Sequence, residues 1–221
     1  LSVQLAEHEP LRDLQAWTTG MTHRGVIAHP RGSAAPEIWI LGSSNYGAQL
    51  AAHFGLPYAF AYFFSDGEGT EEALHLYRSL YRPSARHPQP CATLCVWALA
   101  ADDTAQARHQ ALSRDRWRVD RLRGTLGPLQ SPDVIAARGF TSEEMPTVEA
   151  TQRKALVGDP AQVAAKLRGL ADTFGLDELV VNTWTHDPAV RRHSYALLAR
   201  EFGLNDSAAV DQTQVVHAAV D

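Results

Sequence analysis

The feature that most constrains the fold is the stretch from Glu37 to Asp66, where two apolar runs flank a helical pattern. The first run spans Glu37 to Leu41, and the second spans Tyr58 to Phe64. Gly55 follows the helical pattern, where glycine commonly ends a helix in the left-handed conformation. Two buried strands joined by a helix predict a parallel βαβ unit. Such units bind ligands beyond the carboxyl ends of their strands.

The residues at that predicted edge are Gly42, Ser43, Ser44 and Asn45. The N–H groups at a helix start, two hydroxyls and a glycine that permits close backbone approach suit a phosphate or the polar edge of a flavin. The alternative is that Ser44 or Asn45 only caps the helix. Spacing alone favours the capping role.

Two further strands are predicted downstream, at Cys91–Ala101 and Glu178–Thr183, and helical patterns follow each strand. Strands that alternate with helices predict an α/β fold with a parallel sheet. The chain is long enough to bury its core as one domain, residues 1–221. Residues 124–147, rich in Gly, Pro and Ser, predict an excursion or lid, and residues 206–221 predict a flexible tail.

The helix predicted after the third strand carries five arginines between Arg114 and Arg123. Asp115 and Asp120 interleave with them, so the pattern favours a solvated helix face over a nucleic-acid site. Cys91 and Cys95 would lie about 13 Å apart on a strand, which is too far for a disulfide. We expect both to be buried free thiols.

Several classes of function lack their sequence signals. A net charge of −5 gives no general reason to expect nucleic acid or an anionic membrane as a partner. No apolar run approaches the roughly 20 residues that cross a bilayer, and the first ten residues do not resemble a signal peptide. We therefore expect a cytoplasmic protein. No metal-ligand spacing, serine-hydrolase elbow or phosphate-binding glycine fingerprint is present, so no metal site is predicted.

His186 lies in the loop after the last predicted strand, at the edge where barrel enzymes collect catalytic groups. An imidazole can exchange a proton near neutral pH, which makes His186 the one weak catalytic candidate. The alternative is a solvated loop histidine, and a lone histidine favours that alternative.

The string LGSSNYGAQLAAHFGLPYAFAYFF resembles the bacterial luciferase-like flavin monooxygenases. The resemblance continues in the same order over about four-fifths of the chain, through LYRSLYRPS, ALAADDTAQAR, VGDPAQVAAKL and DELVVNT. It implies a TIM-barrel (β/α)8 fold, of which this chain matches the C-terminal half with four parallel βα units. The chain would then be either a short relative or a fragment.

The resemblance also implies a reaction in which reduced FMN and oxygen oxidise a small organic substrate. By the same comparison Gly42, Ser43 and Ser44 contact the phosphate and the flavin, and Tyr46 forms a nearby wall. Two alternatives remain. One is a non-catalytic remnant that binds flavin or a partner, and the other is a deazaflavin-dependent reductase of the same superfamily.

Half of a barrel would leave sheet edges open and one sheet face uncovered. We expect Ile38, Ile40, Phe60 and Val96 to lie on that inward face. The uncovered surface predicts a homodimer, or association with a chain that carries the first half of the barrel.

Overall fold

The computed structural model describes residues 9–30 and 34–204, so the predicted tail at 206–221 lies outside the described residues. The chain divides into two compact units. Unit 1 comprises Leu1–Val96 and Phe174–Val180, and unit 2 comprises Trp97–Thr173 and Val181–Asp221. Each unit is described separately below.

Unit 1 contains the predicted βαβ unit. Its described elements are α1 (Glu9–Thr18), β1 (Ile40–Gly42), α2 (Asn45–Phe54), β2 (Tyr58–Phe60), α3 (Tyr62–Ser65), α4 (Thr70–Leu80) and the first part of β3 (Ala92–Ala100). β1 pairs in parallel with β2, and β2 pairs in parallel with β3. The parallel α/β class is therefore confirmed.

Gly55 ends α2 as the sequence predicts. Its backbone is left-handed, with φ of 59°, and its N–H points to the carbonyls of the last turn. A side chain here would also clash with the carbonyl oxygen of Arg82. Gly55 is thus required both by backbone conformation and by the close approach of the chain after α4.

Unit 2 continues from β3 into a helical layer. Its described elements are the rest of β3, α5 (Thr104–Arg123), α6 (Pro132–Arg138), α7 (Met145–Arg153), β4 (Leu156–Gly158), α8 (Pro160–Phe174, whose last residue is in unit 1), the end of β5 (Leu179–Asn182) and α9 (Pro188–Glu201). β4 pairs in parallel with the end of β3, and β5 also pairs with β3. The described residues therefore hold five strands, one more than predicted. β4 was not predicted because it is only three residues long and precedes a strong helix start.

The assignment of the sheet faces from sequence was wrong. Phe60 and Val96 are fully buried, and Ile40 packs with the cluster of Leu11, Leu50 and Leu56 from the helical side. Leu41 points the other way and is 57% exposed. Neighbouring strand residues face opposite sides, so Leu41 lies on the second side of the sheet. That side is open at the edge strand β1, whereas Ala59 and Thr93, which are in register with Leu41, are buried.

The arginine-rich helix α5 was also misread as a solvated face. Ser113, Arg114, Asp115 and Arg116 are all buried. Arg116 Nη1 donates to Glu144 Oε1 at 2.9 Å, and Arg116 Nη2 lies 2.8 Å from Asp120 Oδ1. The helix therefore carries a buried ion network.

The excursion at 124–147 is attached to α5 at several points. Ser113 Oγ donates to Gln130 O at 2.7 Å, and His109 Nε2 lies 2.8 Å from Asp133 Oδ1. Glu144 accepts from the Thr141 amide at 3.0 Å, as in the hydrogen bond by which a glutamate caps a helix start three residues before it. Its function as a lid stays a prediction.

The two cysteines are free, as the spacing predicts, but they are less buried than expected. Cys91 is exposed and Cys95 is half-buried. Burial still raises the pKa of each thiol, and nearby carboxylates add to this effect at Cys91. Neither thiol is thereby activated as a nucleophile.

Candidate functional site

The predicted flavin turn joins β1 to α2 at the carboxyl edge of the strands in unit 1. Gly42 is the last residue of β1, and its carbonyl accepts hydrogen bonds from the Ala61 amide at 3.0 Å and from Tyr58 Oη at 3.2 Å. The residue after β2 therefore anchors the turn after β1. This contact fixes where the helix begins.

The serine hydroxyls of this turn do not cap the helix. Ser44 is the N-cap residue with extended backbone, φ −134° and ψ 159°, yet its side chain makes no capping hydrogen bond. Asn45 Nδ2 donates instead to Glu72 Oε1 at 2.7 Å. Neither Ser44 nor Asn45 is thus seen to cap α2 through its side chain. Ser43 and Ser44 are both exposed.

The start of α2 adds backbone donors to these hydroxyls. The first helical hydrogen bond runs from the Ala48 amide to Ser44 O at 3.4 Å, so the amides before Ala48 have no partner within the helix. Tyr46 stands in this first turn and is 44% exposed. Hydroxyls, helix amides and an aromatic side chain form a donor set that fits a phosphate monoester next to a planar ring. Glu72, held by Asn45, is the acidic group at this edge.

A second turn lies beside the first, after β2. Gly42 is aligned with Phe60 in the sheet, so α3 begins next to the serine turn. The rings of Phe63 and Phe64 lie 4.4 Å apart, and Phe64 is 44% exposed. Gly67 follows with φ of 94°, and a Cβ there would lie 2.7 Å from Tyr62 Oη. These aromatic residues form the neighbouring wall at the same edge of unit 1.

His186 belongs to unit 2, in the loop after β5, and its role stays a prediction. The residue is exposed. The following residue, Asp187, caps α9 by accepting from the Ala189 amide at 2.7 Å. Thr185 Oγ1 donates to Asp187 O at 2.6 Å. The loop is therefore fixed on both sides of His186, while the imidazole faces solvent.

Unit 2 also contains a histidine–carboxylate pair that the sequence did not reveal. His193 Nε2 lies 2.8 Å from Asp102 Oδ1, which follows β3. The two residues are 91 positions apart, so no spacing pattern connects them. His193 also lines a cavity of about 230 Å³ together with Gln106 and Gln110.

Comparison with known proteins assigns the chain to a family. The profile of the luciferase-like monooxygenases matches residues 4–177. A luciferase-like monooxygenase of Escherichia coli K12 is 38% identical over 160 residues, which cover 72% of this chain and 48% of that protein. The uncharacterised protein YvbT of Bacillus subtilis 168 is 35% identical over 193 residues, covering 86% and 57%. The chain belongs to the luciferase-like monooxygenase family.

Solved structures agree with this assignment. The crystal structure of apo-MsnO8 has a TM-score of 0.74 at 29% identity, covering 89% of this chain and 60% of MsnO8. The oxygenating constituent of 3,6-diketocamphane monooxygenase from Pseudomonas putida, solved with FMN, has a TM-score of 0.53 at 19% identity and covers 80% and 50%. The second similarity concerns the fold alone. Together they confirm the luciferase-like TIM-barrel class, of which this chain matches a part.

The chain spans about half the length of the curated relatives that it matches. A barrel site draws residues from the carboxyl ends of many strands. The residues of this luciferase-like chain can therefore be assigned only to the part of the site that they form. In unit 1 that part is the pair of neighbouring turns after β1 and β2.

The aromatic residues after β2 were missed because the apolar run Tyr58–Phe64 was read as one long strand. The strand ends at Phe60, and the rest forms α3. The residues Ser65, Asp66 and Gly67 indicate a turn in the sequence. A strand that ended at Phe60 would have placed the aromatic residues after it at the carboxyl edge of the sheet.

The described residues contain neither a membrane-spanning helix nor a metal-binding cluster. No helix at 9–30 or 34–204 combines the length and apolarity needed to span a bilayer. Over the same ranges, His, Cys, Asp and Glu side chains form no group of three that could hold a metal ion.

Proposed function

We propose that this chain forms the flavin-phosphate side of a monooxygenase that oxidises a small organic substrate with reduced FMN and oxygen. Membership of the luciferase-like family supports a flavin-dependent oxidation. The FMN bound to the 3,6-diketocamphane enzyme supports FMN as the flavin. FMN would supply the oxygen chemistry, and the residues of this chain would bind and orient it.

The observation that carries this proposal is the state of the Ser44 side chain. A serine at an N-cap normally accepts from an amide of the first turn. Here that bond is not made, and Ser44 and its neighbour Ser43 are exposed residues beside the first amides of α2. This set of donors at a positive helix end matches what a phosphate requires.

Each residue of the turn has a distinct proposed task. Ser43 and Ser44 donate hydroxyl hydrogen bonds to the phosphate, and Gly42 lets the backbone approach it. Tyr46 borders the flavin, and the aromatics after β2 exclude water from the same edge. His186 remains the candidate for proton transfer through its exposed imidazole.

The test is an FMN titration of the purified chain, followed by quenching of flavin fluorescence. Ser44→Asp would place a carboxylate against the phosphate and weaken FMN binding by at least roughly tenfold. Ser79→Asp is the matched control, because Ser79 is exposed in the last turn of α4, away from the carboxyl edge. Its FMN affinity should equal that of the unmodified chain. Equal affinities for all three proteins would remove this turn from the site.

The same titration separates the flavin proposal from its alternatives. A parallel titration with an 8-hydroxy-5-deazaflavin tests the reductase alternative, and tighter binding of the deazaflavin would favour it. Binding of neither cofactor would favour a remnant that binds a partner. The comparison is made between variants of the same chain, so residues that a longer relative would contribute are absent from all of them equally.

We also propose that another polypeptide covers the open side of the unit 1 sheet. Leu41 and Val180 are 57% and 41% exposed on strands of this unit. A second copy of this chain, in a two-fold dimer, is the preferred partner. A chain or segment that carries the first half of the barrel is the alternative. We place the protein in the cytoplasm, where reduced flavin is available.

A further inference from the structure

Unit 2 contains a cavity of about 650 Å³ that the flavin proposal does not use. It lies among α5, α7 and α8, and β4 contributes Val157. Its lining comes from helix sides and from residues that precede the carboxyl end of β4. It is therefore not built from the turns that follow strands, where the flavin turn lies in unit 1. The volume is in the range of small-molecule sites.

Three cationic side chains line this cavity: Arg108 from α5, Arg153 from α7 and Lys166 from α8. Within residues 9–30 and 34–204, none of the three forms an ion pair with a carboxylate. Three helices thus place cationic side chains around one concave space, and all three residues are exposed. Three cations around one concavity favour the binding of an anion there.

Lys166 shows the consequence of this arrangement. Its Nζ donates to Ala155 O at 3.1 Å and to Val157 O at 3.0 Å, so the ammonium is held at the cavity wall by backbone carbonyls. Burial and the positive charge of Arg108 both lower the pKa of Lys166. The charge of Arg108 therefore reaches Lys166.

Two acidic groups, Asp115 and Glu149, also line the cavity, and in the described part of the chain neither forms an ion pair with Arg108, Arg153 or Lys166. Asp115 Oδ2 accepts from Gln152 Nε2 at 2.7 Å. Glu149 is exposed on α7. Ala111, Leu112 and Val157 provide an apolar surface between the charged groups. The cavity thus offers cations for an acidic group and an apolar surface for the body that carries it.

We propose that this cavity binds a small organic anion, in which one phosphate or carboxylate group is attached to an apolar body. Arg108 and Arg153 bind the acidic group, because guanidinium groups can donate two hydrogen bonds to one phosphate or carboxylate. Lys166 adds charge from the wall, and the apolar body lies against Leu112 and Val157. The site shares no residue with the flavin turn, so it would add a second ligand to this chain.

The test uses calorimetric titration of the intact chain with three probes: phenyl phosphate, benzoate and inorganic phosphate. Ionic strength is held constant with sodium chloride, so that unspecific screening is the same in every titration. The variants Arg108→Gln and Arg153→Gln each remove one exposed guanidinium of the lining. Arg192→Gln is the matched control, because Arg192 is an exposed arginine on α9 of the same unit and does not line the cavity.

The expected result is saturable binding of phenyl phosphate or benzoate, weakened about tenfold by each cavity variant and unchanged by Arg192→Gln. Inorganic phosphate should bind more weakly than phenyl phosphate, because it lacks the apolar body. Absence of saturable binding for all three probes would overturn the proposal. Equal weakening by the control would do so as well, since it would show unspecific attraction.

An FMN titration of Arg108→Gln separates this site from the flavin turn. Its FMN affinity should match that of the unmodified chain, while phenyl phosphate binding falls. If FMN and phenyl phosphate binding fell together, the cavity would belong to the flavin site and the proposal of a second ligand would be wrong. The outcome for Ser44→Asp is independent of this result, so the two proposals can fail separately.

Discussion

Phe60→Ala tests which side of the unit 1 sheet is buried. Phe60 lies in the middle of the sheet, aligned with Gly42 on β1 and Leu94 on β3, and its exposed fraction is 0%. Burying a phenylalanine removes roughly 150–250 Å² from water, which at about 25 cal/mol per Å² corresponds to roughly 4–6 kcal/mol. Truncation of buried phenylalanines to alanine typically costs about 3–5 kcal/mol. We therefore expect the free energy of unfolding to fall by about 3–5 kcal/mol.

Thermal unfolding followed by far-ultraviolet circular dichroism measures this loss. For a chain of this size, 1 kcal/mol corresponds to roughly 2–4 °C, so the midpoint should fall by about 10 °C. Leu41→Ala is the control, because Leu41 is on the adjacent strand but 57% exposed. Its midpoint should change by no more than about 2 °C at protein concentrations too low for association. A larger shift for Leu41→Ala than for Phe60→Ala would refute the assignment of the two faces.

Two further predictions concern the ion network and assembly. Glu144→Gln should lower the free energy of unfolding by about 2 kcal/mol, because it leaves the buried guanidinium of Arg116 with only one carboxylate partner. A denaturant titration measures this loss. The control is Glu143→Gln, which should change little because Glu143 is exposed. The Thr141 amide, and then Arg116 and Arg123, lower the pKa of Glu144 against the opposing effect of burial. The stabilisation by Glu144 should therefore be complete above the ordinary glutamate pKa of 4.5 and be lost as the pH falls below that value. A stability difference between Glu144→Gln and the unmodified chain that grew in acid would contradict this. Sedimentation at micromolar concentration should give a homodimer, and a soluble, well-folded monomer would contradict the proposed covering of the open sheet side.

The βαβ unit could be predicted because its signals are local. Apolar runs and a glycine stop within thirty residues determine which segments become strands and where α2 ends. Gly55 is the clearest case, since its left-handed backbone and the approach of the Arg82 carbonyl both exclude a side chain. The start of α8 is also determined locally, because the Asp159 carboxylate accepts from the Gln162 amide at 2.9 Å.

β4 and the ion network could not be predicted because their partners are distant in sequence. β4 has only three residues, and its strand character depends on pairing with Ala98–Ala100. Arg116 and Glu144 are 28 residues apart, and Glu144 comes from the excursion after α5. A helix with alternating arginine and aspartate is the same in sequence whether solvent or a buried glutamate lies opposite. Only the fold separates the two cases.

The candidate site shows the same limit of prediction from sequence. The resemblance to the luciferase-like family indicated Ser43 and Ser44, while spacing alone favoured a capping role for Ser44. Hydrogen bonding bears on the capping role alone: Asn45 is held by Glu72 on α4, 27 residues away, and the Ser44 hydroxyl makes no cap, while the flavin role stays a proposal. The functional interpretation of this turn thus depends on a contact that no local pattern contains.

The side of the sheet on which the large apolar residues lie has a direct consequence for assembly. Had Ile40, Phe60 and Val96 lined the uncovered side, the exposed surface would have consisted of the largest apolar side chains of the strands. Phe60 and Val96 are instead fully buried, Ile40 is partly buried against the helical cluster, and Leu41 lies on the open side. The open side therefore carries a smaller apolar surface than the sequence suggested, so unit 1 keeps its own core without a partner. A partner that covers Leu41 would add to a unit that is already packed, and association should then depend on concentration while the fold of unit 1 does not.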